Sequence, residues 1–255
     1  MDVPNPFNRT EPVRVTVWNE FIHERRDSPT NKLYPAGLHT AVGSGIKRYL
    51  GEAAIVNYAT LEEPEHGLSD MVLERTDVLM WWGHTAHDAV ADSVVDRVAT
   101  KVLRGMGLIA MHSAHEAKIF RKLMGTSCSL RWRNEQDREL IWTVRPGHPI
   151  CDGVPSPIIL PQHEMYGEYF DIPQPDELLF ISSFSGGEVF RSGICYERGR
   201  GRIFYFSPGD QAYPIFHNEA ILRVLANAVA WAAPSRSRRN EPLSARAERG
   251  WYEMV

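Results

Sequence analysis

The sequence predicts an α/β fold: a doubly wound, mostly parallel sheet with helices on both faces, continued in its second half by an antiparallel extension. Two observations lead there. Up to Met111, short continuous apolar runs alternate with segments of helical periodicity, as in a sheet hidden from water on both sides by crossover helices. Between Cys128 and Phe206 the pattern changes to two-residue alternation broken by Pro and Gly turns, which suits antiparallel strands.

Val13 to Trp18 is a β-branched run that stops at Asn19 and Glu20, and reads as the first strand. An irregular segment continues through Pro35, after which Gly37 to Leu50 sets apolar residues at helical spacing despite its glycines. Ala53 to Tyr58 predicts a second strand, and Leu68 to Glu74 a short helix opened by Ser69 or Asp70. Asp77 to Trp82 (DVLMWW) is the third strand, with Trp81 and Trp82 read as core rather than as a sugar platform. Ala91 to Arg104 puts Val94, Val95, Val98, Val102 and Leu103 on one helical face and closes at Gly105; Gly107 to Met111 is the fourth strand. In the second half LRWR, ELIWTV, ELLFISSF and EVFRSGICY read as mostly antiparallel strands. Gly201 to Phe206 restores a buried strand, and Tyr213 to Ala232 is a closing helix.

A chain of 255 residues suffices for one large core and barely for two small ones, so residues 1–233 are expected to form a single domain. Residues 234–255 read as a charged tail ending near Trp251 and Tyr252, either disordered or an arm docking on a second copy; a homo-oligomer is expected. Hydrophobic residues at 43% and charged residues at 24% are ordinary globular values. A net charge of -4, with Arg236, Arg238 and Arg239 as the only basic run, argues against a nucleic-acid partner. No stretch approaches the roughly 20 apolar residues of a membrane span. The opening MDVPNPFNRTEP lacks a charged region followed by an apolar core, so a cytoplasmic protein without a membrane partner is expected. Cys128, Cys151 and Cys195, an odd count without CxxC spacing, read as buried free thiols.

Ligands of open α/β sheets bind beyond the carboxyl ends of the strands. Strand one delivers Asn19, Glu20 and His23 there, strand three His84 and His87, and strand four His112, Ser113, His115 and Glu116. One such histidine alone is an ordinary structural residue, but repetition over three strand ends points to metal binding or acid/base work. Ala110 to Ala114, running into HEAKIFRKLMG, has the form of a nucleophile elbow with His112 at its apex. An imidazole there is a base, a ligand or the filling of a polar pocket; it supplies neither thiolate nor alkoxide. In QHEMY, an extended backbone sends His163 and Met165 to one side and Glu164 and Tyr166 to the other, so half of the motif lines one pocket unless the chain turns. Asp210 stands in a Gly-Asp turn, as a ligand or as a turn residue only.

The order of elements and the motifs AMHSAH, RPGHPICDGVP, HEMYGE and GRIFYFSPGD resemble the ThuA-like family, named for trehalose utilisation, from strand one to about Ala232. The resemblance implies a class I glutamine-amidotransferase-like, flavodoxin-like fold in which His112 stands where an amidotransferase carries its cysteine, so glutamine hydrolysis is not expected. It sets Gly147 to Ile150 and Gly153 on the family's HPI…G turn and His163 to Tyr166 where Asp-Glu-x-Tyr is common. It also puts Asp210 where a histidine is common, an exchange of ligand type.

The combined expectation is a protein of carbohydrate utilisation, acting on trehalose, a related glycoside or a keto-sugar through a His/carboxylate pocket. His112, Glu164 and His163 are the expected catalytic residues; Asn19, Glu20, His87, Tyr166 and Asp210 are expected to contact the sugar. His84, His112 and His163 are expected to hold a divalent metal, zinc foremost, and no nucleotide cofactor is expected. The alternatives are a non-catalytic sugar-binding module and an oligomeric scaffold on the same fold.

Overall fold

In the computed structural model, which describes residues 11–25 and 28–234, the apolar runs VLMWW and GLIAM are buried along their whole length. They form β3 (Val78–Trp82) and β4 (Gly107–Met111), the centre of a nine-stranded sheet. The other strands are β1 (Val13–Asn19), β2 (Ala54–Thr60), β5 (Arg131–Thr143), β6 (Ile158–Gly167), β7 (Glu177–Phe184), β8 (Val189–Arg198) and β9 (Gly201–Phe206). Their order is β2-β1-β3-β4-β9-β8-β7-β5-β6. Pairing is parallel from β2 through β9 and antiparallel from β9 to β6, as the change in sequence periodicity predicts.

Alternation along the strands divides the core into two layers. Val13, Val15, Val17, Met80 and Trp82 join α2 (Leu38–Leu50) and α6 (Glu219–Ala232) on one face. Trp18, Leu79, Trp81 and Leu108 join α3 (Asp70–Glu74), α4 (Asp92–Leu103) and α5 (Lys118–Met124) on the other. Trp81 stacks on Trp18 with ring centroids 4.0 Å apart, so this indole is core. Each such large side chain contributes about 1.5–3 kcal/mol by leaving water.

Three local expectations need correction. The segment before Pro35 carries a short helix, α1 (Pro29–Leu33), because Ser28 accepts a hydrogen bond from Asn31 N and Pro29 suits the first turn. The closing helix starts at Glu219, not Tyr213: Asn218 caps it by accepting from Ala220 N and Ile221 N, and a separate 3-10 turn covers Ile215–His217. LRWR and ELIWTV are parts of one strand, β5, whose ladder with β6 is irregular between Arg133 and Asp137, with Gln136 at φ 61°. No described helix is long and apolar enough to cross a membrane. The expected arm with Trp251 and Tyr252 lies outside the described residues.

Candidate metal centre

The chain leaves β4 at Met111 and turns sharply at His112, which takes φ 53° before the 3-10 turn His112–Glu116 and α5. A left-handed conformation costs a residue with a Cβ about 1–2 kcal/mol, so packing must hold it. Part of that packing is Gly209, at φ 153°, where an added Cβ would lie 3.0 Å from both His112 Cβ and Phe216 Cζ. The His112 ring is wholly buried, and its Nδ1 donates to the Ser207 carbonyl at 2.9 Å. That bond fixes the proton on Nδ1 and turns Nε2 inward. Tyr166 stacks on the ring at 4.9 Å, with its hydroxyl 3.3 Å from Nε2 and 3.0 Å from Ser113 Oγ.

Three side chains from beyond the ends of β3, β4 and β9 and one from within β6 meet at this point. His84, His112, Glu164 and Asp210 each offer one donor atom, and the four atoms lie within 4.8 Å of one another. His84 comes from the loop after β3, pinned by Glu20, whose carboxylate accepts from the backbone N–H groups of His84, Thr85 and Ala86 at 2.9, 3.1 and 2.9 Å. His84 Nδ1 meets His23 Nε2 at 3.1 Å, and its ring lies parallel to that of His112. Glu164 Oε2 and Asp210 Oδ2 stand 3.2 and 3.6 Å from His112 Nε2. Apart from His112 Nε2, neither oxygen has a hydrogen-bond donor among the described residues.

Two buried carboxylates at one point require positive charge beside them. Burial alone pushes the His112 imidazolium toward losing its proton, but hydrogen bonding and attraction to Asp210 and Glu164 more than reverse this and lift its pKa to about 10. Asp210 is raised by burial and more than compensated by His112, ending below its ordinary value. His84 moves the other way, to about 4, through burial and the neighbouring His112 and His23 rings. His115 falls to about 3 through burial and remains neutral, its Nδ1 donating to the Cys128 carbonyl at 2.7 Å. A cavity of about 370 Å³ opens beside the cluster, lined among others by His84, Ser113, Glu164, Tyr166, Trp132 and Asn134.

The residues expected from sequence divide clearly. His84, His112, Glu164, Tyr166 and Asp210 come together. His163 is not one of the four donors: β6 is extended, so Glu164 and Tyr166 share one face, and although the His163 ring lies 5.6 Å from that of His112, its nitrogens meet Glu139 and the Gly209–Asp210 turn. Its Nδ1 faces Glu139 Oε2 at 2.7 Å, and its Nε2 accepts from Gly209 N and Asp210 N at 3.2 and 3.4 Å. It holds the Asp210 turn and has no lone pair left for a metal. Asn19 is closed into a buried network with Glu24 and His39, and Glu20 serves the His84 loop, so neither faces the cavity. His87 lies apart from the four donors, its Nε2 3.9 Å from Glu116. None of the three cysteines lines the cavity. Sequence reasoning missed Glu139, Trp132 and Asn134, all on β5; alternation in that segment signals a strand and nothing of its neighbours.

Sheet order, elbow and site define an α/β protein of the glutamine-amidotransferase-like class with a histidine at its elbow. A glutamine amidotransferase of Thermotoga maritima has a similar fold, with a TM-score of 0.51 at 12% identity over 85% of this chain and 96% of that one. The family model described as trehalose utilisation, ThuA, matches residues 14–232, and the chain belongs to that family. ThuA-like proteins of Bacteroides uniformis and Parabacteroides merdae are similar in structure. The first has a TM-score of 0.62 at 15% identity, covering 88% of this chain and 93% of that one. The second has a TM-score of 0.61 at 13% identity, covering 93% and 94%. No curated protein sequence matches the chain.

Proposed function

We propose that the protein is a divalent-cation-dependent enzyme of carbohydrate utilisation, acting on a small glycoside or keto-sugar at the β4 elbow, with zinc the first candidate ion. One observation carries the reading: two buried carboxylate oxygens, of Glu164 and Asp210, converge on the same point as two imidazoles, with His112 their only donor among the described residues. Mixed nitrogen and carboxylate donors suit a divalent ion of this kind. His84, His112, Glu164 and Asp210 would hold it, and when bound it would polarise a sugar carbonyl or hydroxyl oxygen. Zinc accepts a fifth ligand, so four protein donors leave room for substrate.

The protein's own groups support this division of labour. The Ser207 carbonyl holds the Nδ1 proton of His112 and leaves Nε2 as the inward nitrogen, which a bound cation would take in place of the second proton. Tyr166 and Ser113, joined hydroxyl to hydroxyl, stand beside the cluster where they can hydrogen-bond a sugar oxygen. The metal-free alternative needs His112 as a general base, yet its two carboxylate neighbours keep it protonated up to about pH 10, so it is not free to accept a proton near neutral pH. The carbohydrate part rests on the family's description. Elemental analysis of the purified full chain, followed by assays on keto-sugars with and without a chelator, tests the reading. A metal-free protein active on such a sugar would refute the cation; a metal-loaded protein inert toward a broad sugar panel would refute the substrate.

A further inference from the structure

Trp132 is an indole that the fold has not buried. It is 65% exposed, on β5, directly opposite Tyr166 in the antiparallel ladder. Residues opposite one another in such a ladder project from the same side of the sheet, so Trp132 shares the side from which Tyr166 reaches His112. It lines the cavity of the His/carboxylate cluster and also an adjoining groove of about 870 Å³ bounded by Arg131, Met165 and Val189. Two residues on, Asn134 lines the same cavity, and its Oδ1 accepts from the Tyr213 hydroxyl at 2.6 Å. That bond orients the amide and leaves its N–H donors for a ligand. Asn134 sits within the irregular stretch of β5, which Arg133 ties down through Asp137 at 2.8 Å and Glu188 at 2.6 Å. Bulges beside sites re-aim side chains in this way.

We propose that Trp132 and Asn134 form a second sugar subsite, so that the substrate is a glycoside of at least two rings. One ring lies at the His/carboxylate cluster; the next stacks on Trp132 at the mouth of the groove while Asn134 donates to one of its hydroxyls. A flat indole beside an oriented amide suits a pyranose, whose apolar C–H face needs a surface and whose equatorial hydroxyls need directed partners. The inference rests on the carbohydrate reading above and adds the size of the ligand and the residues that select it.

Calorimetric titration of the full chain, as purified, with trehalose, maltose, cellobiose and lactose, each beside glucose, tests it. The expected result is at least one disaccharide that binds more tightly than glucose and is weakened about tenfold by Trp132→Ala. Glucose binding is unchanged in that variant, and Trp132→Phe restores most of the disaccharide affinity. Asn134→Ala, also at an exposed position, selectively weakens the same disaccharide. Glucose binding with no disaccharide preference, or equal losses for both ligands in Trp132→Ala, overturns the subsite while leaving the carbohydrate reading in place. Failure of every sugar to bind the wild-type chain overturns the subsite and the glycoside part of the carbohydrate reading, leaving only the keto-sugar part.

Discussion

His163 Nδ1 lies 2.7 Å from Glu139 Oε2, and neither side chain reaches solvent. Through this pair β5 controls a turn that neither residue belongs to, because His163 Nε2 accepts from Gly209 N and Asp210 N. Glu139 also accepts from Ser182 Oγ at 2.5 Å. Glu139→Gln should therefore weaken divalent-ion binding about 10- to 100-fold although Glu139 touches no ligand position. Ion titration of a variant shown by circular dichroism to be folded checks this; unchanged affinity would reduce the pair to a structural role.

The elbow gives a contrast between two adjacent positions. His112→Ala should abolish activity and, by taking the compensating charge from Glu164 and Asp210, cost stability that an added divalent ion restores. Gly209→Ala should destabilise by about 1–3 kcal/mol with or without that ion, because its Cβ would press on His112 and Phe216 at a φ that favours glycine. Denaturant unfolding of both variants, with and without the ion, separates the cases. A His112→Ala loss of stability that an added divalent ion leaves unchanged, as in Gly209→Ala, would make the ring a packing element.

His115 sets an acid limb on stability. Its folded pKa, about 3, lies below the ordinary 6.5, so below pH 6.5 the unfolded chain takes up a proton that the folded chain refuses. The stabilisation is complete above about pH 6.5 and falls with pH toward 3, at up to about 1.4 kcal/mol per pH unit for one proton. His84, similarly buried and held near 4, adds to the same limb in the metal-free protein. Between pH 6.5 and 5, where carboxylates contribute little, His115→Gln should flatten the slope measured by urea unfolding. An equal slope in variant and wild type would contradict the assignment.

The thiols should be spectators. Cys128, Cys151 and Cys195 are buried, and burial raises all three pKa values, that of Cys151 to about 11. A thiol reagent at neutral pH should label the native protein slowly and leave activity intact. Rapid labelling with parallel inactivation would return a cysteine to the chemistry.

Much of this was legible in the residues, for reasons that differ by element. VLMWW and GLIAM could be read as central strands because burial on both faces demands continuous apolar sequence. Strand parity divided QHEMY into two faces without saying which one meets the cavity, so His163 was expected as a catalytic residue and metal ligand; only its bonds to the Gly209–Asp210 turn show it engaged elsewhere. The fate of Asn19 was not legible, since its position at a strand end matches that of His84 and only contact with Glu24 and His39 shows it turned inward. Glu139, Trp132 and Asn134 were hidden for a related reason: their roles depend on pairing with β6 and on a bulge, and neither register nor bulge is written in local periodicity.

The central claim is that Glu164 and Asp210 hold a cation together with His84 and His112. Zinc titration of the metal-stripped full chain, wild type beside a Glu164→Gln and Asp210→Asn double variant, tests it most directly. Both replacements keep shape and remove charge, so the fold is retained while the anionic donors are lost. The account predicts one tightly bound ion per wild-type chain and none in the variant. A wild-type chain that binds no divalent ion, or a variant that binds it equally well, would contradict it.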